Sequence, residues 1–392
     1  MKFLSKIICL LLILLPIVDF LYKWQDETSS PALYLRGGVL LLLLLSMAVN
    51  HHRTFHNNNL IIKSVWLLLG YILFITFCFY VGINTLYDVI RVVFALVGLL
   101  VFYKLFQTNI LSEKEMIRFF FILILILTTI TFMNLGYRLN SRKELREADN
   151  VGYALLCVYA SIMLFANKKV FPVALFCIMI GTLISGKRGA VIGLIVASLP
   201  LIKYVFFNRQ WKGLKKMFFS ILLVVGVVVA LRLFGDYVSA TLERFRMLEE
   251  DQGSGRGDIL KYYWAHYKDS DLLHQIFGHG LFAGTWNSGS TFAFNSKMAH
   301  NDWAELLYDF GIIGVLIYVI LFVRMFLILY KNRKHKTEYY FMFEMTAIIW
   351  FLSSVFSSTF LMNINSIYLY MTAAYAISKL EQQKNVRATN PT

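Results

Sequence analysis

Apolar runs of bilayer-spanning length follow one another almost from end to end of this chain, separated by short polar or basic breaks. A membrane-crossing helix needs about 20 mostly apolar residues, and on that measure the pattern predicts about twelve spans. They lie near Ile7–Tyr22, Ala32–Val49, Ser64–Ile83, Leu86–Phe106, Met116–Gly136, Val151–Ala166 and Val170–Ser185. The rest lie near Ala190–Phe207, Met217–Gly235, Trp303–Tyr330, Phe341–Phe360 and Ile364–Leu380. Lys2 and Lys6 precede the first apolar core as they would in a signal peptide. No small-x-small cleavage site follows, so an uncleaved first helix is expected.

The polar breaks give the orientation. Lys203, Arg209, Lys212, Lys215 and Lys216 fill one break, and Lys331, Arg333, Lys334 and Lys336 fill another. Basic loops stay cytoplasmic, which puts both termini inside. The linker after Ser185, the loop Tyr137–Asn150 and the long segment Asp236–Ala299 then lie outside. The chain divides into nine spans over 1–235, a large outer loop over 236–300, three spans over 301–380 and a cytoplasmic tail over 381–392. The polar stretch after Lys379 is expected to be disordered. The outer loop Tyr137–Asn150 breaks the charge rule with Arg138, Arg142, Lys143 and Arg146. Ser141 and Glu144 form a capping-box pattern that predicts a short interfacial helix there. Its charges fit a solvated turn or an anionic partner.

The long outer segment is expected to hold short helices. Ser239–Glu250 has helical periodicity through Leu242, Phe245, Met247 and Leu248. Gly253-Ser254-Gly255-Arg256-Gly257 breaks it, and Asp258–Lys268 reads as a second helix. Gly278–Ser296, rich in Gly, Ser, Asn and aromatics, reads as an irregular loop. Its aromatics would stack on sugar rings or belong to the interfacial belt.

Composition agrees with an all-α polytopic membrane protein. Of 392 residues, 58% are hydrophobic and 16% charged, where a soluble domain carries about 25% charged. The net charge of +15 resides mostly in short loops between apolar runs, so nucleic acid is excluded as a partner. Cys9, Cys78, Cys157 and Cys177 all fall in apolar runs and imply no disulfide framework. His266, His274, His279 and His300 are scattered without metal-ligand spacing, and no metal or cofactor is expected. No Gly-x-Ser-x-Gly hydrolase signature occurs.

Three short stretches carry candidate chemistry. Ser185-Gly186-Lys187-Arg188-Gly189 joins two spans with almost no room between them. That forces Lys187 and Arg188 to the depth of lipid headgroup phosphates, where a guanidinium fork grips phosphate bidentately. A snorkelling arginine on ordinary lipid is the plainer alternative. Arg256 lies between Gly255 and Gly257, which let backbone approach a ligand closely. Arg244 and Arg246 precede it, to converge on a diphosphate or to pair with Glu243, Glu249, Glu250 and Asp251. Lastly, His300-Asn301 opens a very apolar run, and Gly311 and Gly314 follow one helical turn apart, as if to admit a neighbouring helix. An interfacial histidine before an ordinary membrane helix is the alternative there.

The His-Asn, nine residues, Gly-x-x-Gly pattern, with the two arginine stretches before it, resembles the O-antigen polymerase and O-antigen ligase superfamily. Ile276-Phe277-Gly278-His279-Gly280 is similar to a further short pattern of that family. The resemblance implies a GT-C-type glycosyltransferase of the bacterial inner membrane, acting at the periplasmic face without a metal. Its donor would be an oligosaccharide on undecaprenyl diphosphate, and a chain-length regulator is a further implied partner. Carried over by position, Arg188 and Arg256 would hold the diphosphate, with Lys187, Arg244 and Asn301 beside them, and His300 would deprotonate the acceptor hydroxyl. Apart from the resemblance, Asp302 and Glu305 lie near His300 in sequence, placed to orient the imidazole or the sugar. The acceptor would be a second lipid-linked repeat unit in a polymerase, or lipid A–core in a ligase. The run His300–Leu306 and the Arg244–Gly255 spacing are more similar to polymerases. A lipid-linked glycan flippase is the alternative from another class, but two similar halves would be expected of it.

Overall fold

The computed structural model describes residues 1–22, 31–49, 59–79, 85–140, 150–207, 213, 256–286, 299–357 and 365–389. Those residues are mostly helical and contain no strand. The helices are α1 (Lys2–Leu21), α2 (Pro31–Val49), α3 (Leu60–Cys78), α4 (Thr85–Gln107) and α5 (Glu113–Asn140). Next come α6 (Val151–Tyr159), continued as a 3₁₀ turn over Ala160–Phe165, then α7 (Phe171–Ile184) and α8 (Arg188–Phe207). The outer segment contributes α9 (Arg256–Asp269), α10 (Leu272–Phe277) and α11 (Ala283–Trp286). The chain then runs through α12 (Asp302–Asn332), α13 (Glu338–Phe356) and α14 (Ser366–Thr389).

Seven of the described helices are long and apolar enough to cross a membrane: α1, α2, α3, α5, α8, α12 and α13. Stretches 92–107, 151–165 and 171–184 are apolar but shorter. The ninth expected span, Met217–Gly235, and the expected helices at Ser141–Glu144 and Ser239–Glu250 lie outside the described residues.

Helix ends follow local chemistry. Asn59 caps α3, its Oδ1 accepting from the amides of Ile61 at 2.8 Å and Ile62 at 3.3 Å. Ser112 and Glu115 exchange side-chain and backbone bonds of 2.8 and 3.3 Å at the start of α5, a capping box. In lipid, helices associate through close van der Waals packing rather than a hydrophobic drive. At the α4–α14 contact a methyl group on Gly98 would lie 2.0 Å from Ile367 Cδ1. Trp350, Tyr318 and Tyr370 are fully buried in the centre, with Trp350 Nε1 donating to Tyr318 Oη at 3.0 Å.

The bundle has two chemically different ends. At one, Lys203 pairs with Glu344 at 3.5 Å and Lys6 with Glu115 at 3.9 Å, and Glu113 accepts from Tyr339 and Tyr375 at 3.0 and 3.1 Å. The same end corrects the expectation of a disordered tail, because α14 continues as helix through Thr389. Its Glu381 accepts from Asn59 at 2.5 Å, from Gln107 at 2.8 Å and from Tyr103. Gln382 donates to the Phe106 carbonyl at 3.2 Å. These bonds to α3 and α4 hold polar residues that sequence pattern alone assigns to solvent.

Candidate functional site

The opposite end of the bundle holds the signature residues. Asn301 caps α12, its Oδ1 accepting from the amides of Trp303 at 3.0 Å and Ala304 at 3.1 Å. Its Nδ2 donates to the Val355 carbonyl at 3.0 Å, near the C-terminal end of α13. Trp303 Nε1 adds a bond to Ser354 Oγ at 3.0 Å. His300 sits just before the cap, exposed, with a left-handed φ of 50° and its amide donating to Glu305 Oε1 at 3.0 Å.

Helix α12 is broken at Gly311, where φ is 63° and ψ is −170°. The expected single span is therefore a short helix over 302–310 followed by a longer one. The nine residues between Asn301 and Gly311 are this short helix, about 13 Å long at 1.5 Å per residue. Asp302, Glu305 and Asp309 fall on one face of it and are 0%, 2% and 2% exposed.

A break leaves the preceding carbonyls without helical partners, and here other segments supply donors. Tyr308 O accepts from the His279 amide at 3.1 Å, and Asp309 O from the Gly280 amide at 2.9 Å. Phe310 O accepts from Tyr71 Oη at 2.9 Å. The Asp309 carboxylate accepts from the amides of Phe282 at 3.0 Å and Gly284 at 3.2 Å. Residues 277–284 are thereby docked on the break. His279 stacks between His274 and Tyr308, at 4.5 and 4.3 Å between ring centroids. Burial pushes its pKa below the ordinary histidine range, and neighbouring His274 adds to the shift while the Tyr308 carbonyl opposes it.

Gly311 thus serves a different purpose from the helix approach its spacing suggests. A methyl group there would lie 2.3 Å from Ile276 O and 2.7 Å from Gly278 N, so it is the docked loop that comes close. At Gly314 a methyl would meet Tyr71 Cε1 of α3 at an ordinary 3.5 Å, though Phe310 Cβ of its own helix at 2.5 Å. Gly311→Ala combines left-handed strain of about 1–2 kcal/mol with that backbone clash. It is expected to lower the thermal melting point of the purified protein, whereas an unchanged melt would show that the break is dispensable.

The second stretch reaches the same place. Gly186, at φ 68°, and Ser185, whose Oγ donates to Thr182 O at 2.7 Å, turn the chain from α7 into α8, which begins at Arg188. A methyl on Gly189 would lie 2.5 Å from Tyr153 Oη and 3.5 Å from Phe356 Cβ. One on Gly152 would meet Ser185 Oγ at 2.1 Å and Lys187 Cβ at 3.5 Å. The turn carrying half-buried Lys187 and Arg188 and the His300–Asn301 pair therefore abut neighbouring residues, Phe356 and Val355, at the end of α13.

The third stretch is described in part. Arg256 is the first residue of α9, close to the expected Asp258–Lys268 helix, and its side chain lies outside the described residues, as does all of Arg244. Ile259, one turn after Arg256, shares an apolar cluster with Tyr263, Tyr308 and Ala299, the neighbour of His300. Sequence reasoning missed Tyr153, Tyr71 and Asp309; only the i, i+3, i+7 spacing of Asp302, Glu305 and Asp309 signals the last. Among the described residues no group of three or more His, Cys, Asp or Glu side chains is arranged to hold a metal ion.

Comparison with known families matches residues 173–319 to the family model described as O-antigen ligase. The match runs from α7 through the Arg188 turn, the outer segment and the His300 signature to beyond Gly314, less than half of the chain. It supports membership of the O-antigen ligase and polymerase superfamily. No match is found among curated proteins.

Proposed function

We propose, on the match of residues 173–319 to the O-antigen ligase family model, that the chain is a surface-polysaccharide polymerase of the bacterial inner membrane. It spans the membrane about twelve times and works at the periplasmic face. The observation that carries the reading is the meeting of the Arg188 turn and the His300–Asn301 cap on adjacent residues of α13. Arg188, with Arg256 and Arg244 and assisted by Lys187, holds the diphosphate of an undecaprenyl-linked glycan. His300 accepts the proton of the acceptor hydroxyl as its oxygen attacks the anomeric carbon. The carbon–oxygen bond to the diphosphate breaks, undecaprenyl diphosphate leaves with the electron pair, and the anomeric centre inverts. That leaving group needs charge stabilisation rather than protonation, which arginines supply without a metal. Imidazole, with an ordinary pKa of about 6.5, suits the base role near neutral pH.

The family description favours a second reading, ligation of the glycan to lipid A–core. Both reactions expel the same lipid diphosphate, so the acceptor separates them. Purified protein given only lipid-linked repeat units is expected to build a ladder of longer lipid-linked glycans, unaffected by lipid A–core or by EDTA. Repeat units that stay single until lipid A–core is added would mean a ligase. Inhibition by EDTA that a divalent ion reverses would remove the metal-free mechanism.

A further inference from the structure

We propose that Glu305 is the positioning residue for His300, an inference that rests on the reading of His300 as the acceptor base. Three non-glycine residues with positive φ occur among those described: Asn109, Phe282 and His300. Side chains other than glycine disfavour that backbone, so it persists where the surroundings hold it. Two of the three are held in the same way. The Phe282 amide, at φ 57°, donates to the Asp309 carboxylate at 3.0 Å, and the His300 amide, at φ 50°, donates to the Glu305 carboxylate at 3.0 Å. Both acids lie on the buried face of the short helix 302–310. That helix is fixed at its start by the Asn301 bond to Val355 and at its break by Tyr71. Glu305 therefore ties the backbone of His300 to a rigid frame while leaving its side chain exposed. A base must stay within hydrogen-bond reach of the proton it takes, and misplacement by about 1 Å costs about 100-fold in rate.

The test compares purified wild type, Glu305→Ala, Glu305→Gln and His300→Ala in transfer between lipid-linked repeat units, with donor binding measured separately. Glu305→Ala is expected to lose about 100-fold in kcat with the KM for donor unchanged. Glu305→Gln keeps an acceptor oxygen, so it should recover most of the rate and follow the wild-type pH profile. That rescue also answers the objection that the alanine variant merely misfolds. Wild-type turnover by Glu305→Ala beside an inactive His300→Ala would overturn the inference alone. A glutamine variant as impaired as alanine, or with a shifted pH profile, would overturn it too, since the charge itself would then be required. Full activity in His300→Ala would instead remove the underlying reading of the base.

Discussion

Replacing His300 with alanine is expected to cut glycan transfer by about 10²–10⁴-fold, the range that a positioned general base contributes. The fold should survive the change. The His300 side chain is exposed, and the local frame is held by its backbone amide on Glu305 and by the Asn301 side chain on Val355. Donor binding should survive too, because the diphosphate is assigned to the arginines. His300→Asn separates loss of the imidazole from backbone strain, since asparagine tolerates left-handed backbone better than most residues. Both variants should be equally impaired in transfer and near wild type in thermal stability. Transfer at the wild-type rate by either would exclude His300 as the base.

Arg188→Lys should weaken donor binding by about 1.5–3 kcal/mol, the worth of a hydrogen bond to a charged group, or roughly 10- to 150-fold in Kd. Lysine keeps the charge but offers a point ammonium in place of a planar fork. The position is sensitive to geometry because Arg188 opens α8 immediately after a turn, with Gly189 packed against Tyr153 and Phe356. Titrating labelled lipid-diphosphate donor into wild type, Arg188→Lys and Arg188→Ala should give decreasing affinity in that order. Equal affinity for wild type and the lysine variant would mean that charge alone suffices and that no bidentate grip is made.

Much of the fold was legible because a bilayer imposes one solution on apolar runs: helices whose backbone groups are satisfied internally. The family signature was legible for a similar reason, since His300, Asn301, Gly311 and Gly314 are local in sequence. What the spacing means was not legible. Nine residues read as the interval between the His300-Asn301 pair and a helix-packing glycine, yet they are a separate short helix. The group that explains Gly311 is the docked stretch Ile276–Gly284, which no periodicity links to it. The meeting of Asn301 and the Gly189 turn at the end of α13 was likewise hidden, because it depends on Val355 and Phe356 at the end of an unremarkable apolar run. The expectation of a disordered tail failed on contacts. Glu381 and Gln382 are polar, but α3 and α4 offer them partners.

The proposed reaction forms a glycosidic bond and releases a lipid diphosphate. The most direct measurement reconstitutes purified protein in liposomes with labelled undecaprenyl-diphosphate-linked repeat units and follows both products over time. One undecaprenyl diphosphate should be released for each repeat unit added to a growing lipid-linked glycan, with no divalent ion supplied. Repeat units that cross the bilayer while remaining chemically intact would contradict it and point to a translocator.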